Sequence, residues 1–225
     1  MNVMQPKVEF ITPLNRDVIL KRIEEIGRVC YKSEDLITEK SAPKFVRMLV
    51  ERGHEAMIEH INVTIKFTTN RGVTHEMVRH RIASYAQEST RYCNYSKDKM
   101  GAGINVIAID SGFSYDLDNP IDIEKYNVWT EAMNQSELAY LKLTELGAKA
   151  QEARSVLPIC TKTEIVMTAN LREWRHFISL RASNSAHPDI KLLAKKVLVD
   201  FNDTLPEIFG DLVWQKGLIK WFNMK

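Results

Sequence analysis

Apolar and polar residues alternate along INVTIKFTT, residues 61 to 69, and this period of two predicts a β-strand with one face in water. GINVIAID at 103 to 110 and KTEIVMTA at 162 to 169 predict two more strands. Elsewhere apolar residues recur at helical spacing, first over residues 15 to 30, where Asn15 is placed to cap the helix. Strands and helices therefore mix along the chain, and we expect an α+β fold with a central, mostly antiparallel sheet flanked by helices.

Capping residues, prolines and glycines predict where the other helices begin and end. Ser41 and Pro43 open a helix that closes at Gly53, which leaves His54 in a loop. Asn70 caps a short helix reaching about Arg81, and the SYAQESTRY that follows is interpreted as a loop. The remaining helices run from Asn119 and Pro120 to near Val156 with a bend at Gly147, from Asn170 to about Ala182, and from Pro188 to about Phe201, whereas the apolar tail at 205 to 222 is ambiguous in type.

The composition narrows the class of protein. The 31 Lys plus Arg nearly balance the 29 Asp plus Glu, so the chain as a whole has no strong attraction to nucleic acid or membranes. Its three cysteines are widely spaced and include no Cys-x-x-Cys pair, which argues against a disulfide framework and fits a reducing cytoplasm. No apolar run approaches the ~18 residues of a membrane span. We expect one domain over residues 1 to 225.

Arginine, histidine and arginine stand together at positions 79 to 81, and Ser89 and Arg91 follow. Converging guanidiniums suit a phosphate, because each offers a planar fork of donors that matches two oxyanion oxygens. The ordinary alternative is a solvated basic surface or a nucleic-acid patch, since short basic runs are common on protein surfaces. The triplet alone leaves both interpretations open.

The segment NLREWRHFISLRAS, residues 170 to 183, predicts an amphipathic helix. At about 100° per residue, one side is apolar and the other carries a polar stripe that includes Arg172 and His176. Arg181 falls inside the apolar sector. A guanidinium is rarely buried without a partner, so either the helix frays before Arg181 or this residue has an anionic or carbonyl partner in a closed site.

We expect no metal site and no dinucleotide-binding loop. His75, Glu76 and His80 are reminiscent of a metalloprotease helix, but that chemistry needs histidines four apart, and a spacing of five puts them about 140° around the helix. The glycines of GAGINV precede a strand instead of following one, so the Gly-x-Gly-x-x-Gly fingerprint is absent.

Taken together, these motifs resemble those of the flavin-dependent thymidylate synthases. The hallmark of that family is Arg-His-Arg, seven arbitrary residues and Ser, and here seven residues separate Arg81 from Ser89. Arg-Ser-Val-Leu-Pro at 154 to 158, Asn-Leu-Arg at 170 to 172 and Leu-Arg-Ala at 180 to 182 match in order and spacing. The resemblance covers nearly the whole chain.

The resemblance implies methylation of dUMP to dTMP. The carbon donor would be 5,10-methylenetetrahydrofolate, released as tetrahydrofolate, and bound FAD would carry a hydride derived from NADPH. It also implies a homotetramer whose active sites combine residues of neighbouring subunits. The expected partners are therefore small molecules, with neither nucleic acid nor membrane among them.

Carried over by position, the resemblance implies a role for each motif residue. The implied flavin contacts are Arg79, His80, Arg81, Gln87, Asn170, Arg172 and His176. The implied nucleotide contacts are Glu76, Arg79, Gln87, Ser89, Thr90, Arg91, Arg154 and Arg181. His54 would sit at the mouth over the flavin, where folate stacks and NADPH gains access. Arg181 would be catalytic, because a fixed cation at the uracil carbonyl and N3 stabilises the negative charge of the activated ring.

Three questions stay open at this point. A module that binds nucleotides or single-stranded nucleic acid could use the same arginines, with Tyr85 and Tyr92 as stacking platforms. VLPIC at 156 to 160 resembles the cysteine motif of thymidylate synthases that work without flavin, although a small buried apolar role for Cys160 is favoured. Ser185 stands where a flavin-contacting histidine is frequent, so His187 either replaces that contact or caps the next helix.

Overall fold

The computed structural model describes residues 1–96, 103–116 and 118–215. Its strands are β1 (Asn2–Met4), β2 (Lys7–Phe10), β3 (Asn62–Asn70), β4 (Ala83–Gln87), β5 (Asn105–Ile107) and β6 (Lys162–Asn170). Its α-helices are α1 (Arg16–Val29), α2 (Ala42–Glu51), α3 (Arg71–Met77), α4 (Pro120–Glu145), α5 (Ala150–Ala153), α6 (Leu171–Arg181), α7 (Pro188–Thr204) and α8 (Pro206–Gln215). The predicted α+β class is confirmed, with a four-stranded antiparallel sheet in the order β2-β3-β6-β4.

The chain divides into two compact units. The first unit contains Met1–Lys7, Lys66–Arg79 and the described part of Tyr85–Val166. The second unit contains Val8–Ile65, His80–Ser84 and the described part of Met167–Lys225. That the chain acts as one domain stays a prediction.

The first unit is built around α4 and the parallel pair β1 and β5, in which Val3 lies opposite Val106. Its apolar core holds Tyr95, Val106 and Tyr140, none more than 1% exposed. The carboxylate of Glu137 on α4 accepts the amide of Ile104 at 3.0 Å, which ties the helix to the segment before β5. Burying each large apolar side chain contributes about 1.5–3 kcal/mol, so this core favours the folded state of the unit.

The second unit packs α6, α7 and α8 together around aromatic side chains. Trp174, Phe177, Phe201 and Phe209 are fully buried, and the rings of Phe201 and Phe209 stack with centroids 4.3 Å apart. The indole Nε1 of Trp174 donates to the carbonyl oxygen of Val63 at 3.0 Å, so the polar atom of this buried ring is satisfied. The apolar side of α6 is therefore fixed against the core, and its polar side is left to form a site.

Most predicted elements are present, and so are most of the predicted capping bonds. The side chain of Asn15 caps α1, that of Asn119 caps α4 and that of Asn170 caps α6. Gly53 has a left-handed φ of +71°, as a helix end at that position requires. Ser41 stands at the start of α2 but makes no capping bond; its hydroxyl accepts from the amide of Thr38 at 2.9 Å and donates to the buried Glu24 at 2.8 Å.

Several predictions from the sequence were wrong in extent or type. The helix after Asn70 ends at Met77, so the Arg-His-Arg triplet follows α3 instead of continuing it. Part of the expected loop is strand β4. The long helix ends at Glu145, because Gly147 turns the chain with a φ of +93°. The second face of β3 is half-buried instead of wet, and Thr64 on it bonds Thr168 at 2.9 Å.

The apolar tail that the sequence left ambiguous begins as α8, and its residues 216–222 lie outside the described part of the chain. Within the described ranges, no helix combines the length and the apolar character that crossing a membrane requires.

Candidate active site

A buried histidine of the second unit stands between two charged side chains of α6. The Nδ1 of His80 lies 3.1 Å from Oε1 of Glu173, and its Nε2 accepts a hydrogen bond of 3.1 Å from Nε of Arg181. His80 is 4% exposed, and the side chain of Glu173 is 8% exposed. The three side chains therefore form a linear series of hydrogen bonds that fixes the imidazole ring.

These hydrogen bonds identify the protonation state of His80. Because Arg181 can only donate, Nε2 carries no proton, and the proton of the neutral ring lies on Nδ1, from which it is donated to Glu173. Burial lowers the pKa of His80 below its usual 6.5; the hydrogen bond to Glu173 opposes this shift, and the charges of Arg181 and His176 add to it. His80 is thus neutral at pH 7.

The structure also accounts for Arg181 in an apolar sector. Helix α6 does not fray before it, because Arg181 is the last helical residue. The sequence predicted an anionic or carbonyl partner, and one partner is instead the neutral imidazole of His80. The bond holds Nε and so orients the plane of the guanidinium.

A cavity of about 660 Å³ opens beside α6 in the second unit. Its walls include Asn170, Arg172 and His176, three of the residues predicted to contact a flavin. Ile82 and Leu212 supply apolar surface. Its volume lies within the range of ligand pockets, and most of its lining residues are polar or charged, which suits a polar ligand.

Carboxylates already hold the arginines of this cavity. Arg172 donates to Glu59 at 2.5 Å. Arg175 donates to Glu55 at 2.8 Å and to both oxygens of Asp211 at 2.8 Å each. Burial alone would raise the pKa of Asp211, but the hydrogen bond and the positive charge of Arg175, together with backbone hydrogen bonds, outweigh burial and lower the pKa overall. Because carboxylates neutralise these arginines, the two phosphates of FAD would need other cations.

Such cations are present in the Arg-His-Arg triplet. Arg79 and Arg81 are both exposed, and neither guanidinium has a hydrogen-bond or ion-pair partner among the described residues. His54 is exposed beyond α2, and no side-chain hydrogen bond holds it within the described ranges. The triplet thus places one histidine in the interior and two arginines in solvent, where they suit an anionic ligand.

Residues predicted to bind the nucleotide phosphate meet in the first unit. The Nη1 of Arg154 donates to Oγ1 of Thr90 at 3.3 Å across 64 residues of sequence. Ser89 begins a turn in which its carbonyl accepts from the amide of Cys93 at 2.9 Å and its hydroxyl accepts from the amide of Arg91 at 3.3 Å. Arg91 and Arg154 are exposed, so two cations are available for a phosphate near the half-buried Ser89, whereas Thr90 itself is buried.

Gln87 and Glu76 also lie in the first unit. The amide nitrogen of Gln87 donates to Oγ1 of Thr74 at 3.0 Å and of Thr163 at 3.4 Å, which fixes the side chain at the end of β4. Glu76 is half-buried in α3. These bonds fix the orientation of the Gln87 amide, and its contact with a ligand stays a prediction.

Glu173 was not among the site residues predicted from the sequence. Its place in the first turn after Asn170 reads as an ordinary capping position, and the amide of Glu173 does donate to the Asn170 side chain at 2.8 Å. A second signal was available, because residues 173, 177 and 181 are spaced by four and share one face of a helix. Glu173 therefore lies on the same stripe as Arg181.

His80, Glu173 and His176 also bring three ligand atoms within 4.8 Å of one another. Both ring nitrogens of His80 already form hydrogen bonds, and the charge of Arg181 opposes a second cation beside it. The chemistry of this group favours a hydrogen-bond relay over a metal, and the absence of a metal from the function stays a prediction.

Two residues left open by the sequence have structural roles. The Sγ of Cys160 lies 3.0 Å from Sδ of Met133 and packs against the apolar core of the first unit, in agreement with the favoured structural interpretation. His187 accepts the amide of Asp189 at 3.3 Å as the cap of α7, which supports its capping role. Ser185 contacts the hydroxyl of Ser183 at 3.1 Å.

Comparisons with a family model and with individual known proteins point to the same family. The family model described as "Thymidylate synthase complementing protein" matches residues 17–207. Proteins named flavin-dependent thymidylate synthase are similar to the chain over most of their length. That of Mycolicibacterium vanbaalenii is 35% identical over 207 residues, which cover 84% of this chain and 78% of the relative. That of Mycobacteroides abscessus is 35% identical over 227 residues, covering 93% and 85%. That of Mycobacterium tuberculosis is 34% identical over 207 residues, covering 84% and 78%. The chain belongs to the family of flavin-dependent thymidylate synthases.

Proposed function

We propose that this protein methylates dUMP to dTMP with 5,10-methylenetetrahydrofolate as the carbon donor and bound FAD as the carrier of a hydride from NADPH. Overall, dUMP, 5,10-methylenetetrahydrofolate, NADPH and one proton would give dTMP, tetrahydrofolate and NADP⁺. The observation that supports this most is the hydrogen bond between His80 of the hallmark triplet and Arg181, 101 residues further along the chain.

The flavin belongs in the cavity beside α6. Asn170, Arg172 and His176 would line its ring from the polar side of that helix, and Arg79 and Arg81 would hold its phosphates. His80 would act indirectly, through its hydrogen bond with Arg181. Gln87 would lie between flavin and nucleotide. When bound, the flavin would supply the hydride transfer, for which the side chains of the protein have no equivalent group.

The nucleotide phosphate would bind to Ser89, Thr90, Arg91 and Arg154, with Glu76 at the edge of the nucleotide. The bond from Arg154 to Thr90 supports this assignment, because it brings the guanidinium to the segment that carries Ser89 and Arg91. Such preorganisation reduces the entropy lost on binding.

Arg181 would contact the uracil carbonyl and N3. Its guanidinium is oriented by His80, so its positive charge is fixed where negative charge develops as the ring is activated. A charge that does not have to reorganise stabilises a transition state more than a mobile one does. This makes Arg181 the proposed catalytic residue.

The remaining parts of the proposal concern the assembly. His54 would stand where folate and NADPH approach the flavin. The chain would act as one domain in a cytoplasmic homotetramer, with active sites shared between subunits. Small molecules would be its partners, and neither nucleic acid nor a membrane would be needed.

Product analysis tests the proposal. Wild-type protein supplied with all three substrates should form thymidylate and tetrahydrofolate, and the purified protein should be yellow. The Arg181→Ala variant should remain yellow but form thymidylate far more slowly. The side chain of Arg181 would stabilise the transition state, and it does not line the flavin cavity. A colourless protein that binds single-stranded nucleic acid, or turnover that needs Cys160 and no flavin, would overturn the proposal.

A further inference from the structure

We propose that Glu173 is a positioning residue of this active site: it selects the Nδ1–H form of His80 and thereby lets Nε2 of His80 orient Arg181. The inference rests on the proposed function of Arg181, and it adds a residue that the family motif does not contain.

The geometry requires an acceptor at Nδ1. Neutral histidine carries one proton, and the ring nitrogen without it is the only acceptor. If that proton moved to Nε2, the ring would present N–H to the N–H of Arg181 and the 3.1 Å bond between them would be lost. A carboxylate 3.1 Å from Nδ1 accepts but never donates, so it stabilises only the form that Arg181 needs.

Burial gives this preference its strength. The side chain of His80 is 2% exposed and that of Glu173 is 8% exposed, so water does not compete effectively for either group. The ring of Phe177, one turn before Arg181, packs on the imidazole with centroids 5.1 Å apart and restricts its rotation. The series Glu173, His80 and Arg181 is therefore fixed in direction as well as in place.

Three ionisable groups face His80 from α6. Arg181 and His176 disfavour a positive charge on the ring, whereas Glu173 favours it. The carboxylate of Glu173 thus has two effects: it orients the neutral ring of His80, and its negative charge offsets the positive charge of Arg181 nearby. Replacing it by glutamine separates these effects, because the amide oxygen still accepts from Nδ1 but carries no charge.

The first experiment measures the form of the imidazole directly. The protein is labelled with ¹⁵N-histidine, and the His80 signals in the NMR spectrum are identified by their loss in His80→Gln. We expect the Nδ1–H form in wild type and in Glu173→Gln, and a mixture with the Nε2–H form in Glu173→Ala. Glu207→Gln is the matched control, because Glu207 is also buried and paired with an arginine, Arg16 at 2.5 Å, but does not line the cavity.

The second experiment measures the consequence for turnover. Glu173→Ala should lower kcat about 10- to 100-fold with KM for dUMP within about twofold, and Glu173→Gln should recover most of the loss. In an Arg181→Ala background, Glu173→Ala should have almost no further effect, because the residue through which it acts is gone.

The two experiments fail separately. An unchanged Nδ1–H form in Glu173→Ala, or an equal loss of kcat in both backgrounds, would overturn the positioning role and leave the proposed function intact. If wild type formed no thymidylate, the proposed function would fall, and the NMR result would still decide whether Glu173 selects the form of His80.

Discussion

Replacing Arg175 by methionine should destabilise the second unit and lower the affinity of the candidate cavity for flavin. The side chain of Arg175 is 11% exposed and donates to Glu55, to both oxygens of Asp211 and to the carbonyl oxygen of Ile208. It therefore joins α6 to α8 and to the 3₁₀ helix Glu55–His60 that follows α2. Methionine keeps much of the packing volume but removes every one of these hydrogen bonds.

The size of the effect follows from the exposure of the partners. Removing one member of a buried ion pair costs about 3–5 kcal/mol, because the remaining charge is left without compensation. The side chain of Asp211 is 40% exposed, so solvent stabilises part of its charge, and we expect a loss of about 2–3 kcal/mol. For a chain of this length, that lowers the midpoint of thermal unfolding by about 4–12 °C.

Urea denaturation and thermal unfolding at fixed protein concentration measure the loss in free energy of unfolding. Flavin titration measures the affinity of the cavity for flavin. Asp211 and Leu212 line the cavity, so flavin affinity should fall along with stability. Arg172→Met is the control, because Arg172 lies on the same helix and pairs with Glu59, but its side chain is 53% exposed. It should leave the unfolding midpoint unchanged. Equal midpoints for the two variants would refute the argument from burial.

Three further predictions concern ligands and pH. Arg81→Ala should weaken FAD binding at least about tenfold in a flavin titration, because an exposed, unneutralised cation is lost from the phosphates; a fully flavin-loaded variant would count against the assignment. Thr90→Val should raise the Kd for dUMP about fivefold, since one hydroxyl is lost, and calorimetry that shows an unchanged Kd would remove Thr90 from the phosphate site. Because the pKa of His80 is lowered in the folded protein, its contribution to stability is complete above pH 6.5 and is lost as the pH falls through the folded value. The unfolding midpoint of wild type should therefore fall more than that of His80→Gln between about pH 8 and pH 5, and parallel curves would contradict this.

The sequence predicted those parts of the fold that depend on local patterns. Alternation in β3 and the capping residues Asn15, Asn119 and Asn170 all act within a few residues, and the structure has each of them. Strand β4 was missed because its pairing, not its composition, makes it a strand: the amide of Glu88 just beyond it donates to the carbonyl of Glu164 at 2.9 Å. Such a long-range partner leaves no periodic signal.

The candidate site shows the same division. Helical spacing placed Arg181 in an apolar sector and predicted that it needs a partner, which the structure supplies. The identity of that partner could not follow from spacing, because His80 is 101 residues away. Glu173 was not predicted because its place in the first turn after the capping Asn170 already explained it. Its spacing of eight residues from Arg181 was nevertheless visible in the sequence.

The most direct measurement of the account follows the methylene carbon. Purified protein is incubated with dUMP and 5,10-methylenetetrahydrofolate labelled with ¹³C at the methylene, with and without NADPH, and the mass of the thymidylate formed is determined. The account predicts labelled thymidylate only when NADPH is present, in a one-to-one ratio to NADPH oxidised. Thymidylate formed in repeated turnovers without a reductant, or none formed by flavin-loaded protein under any condition, would contradict it.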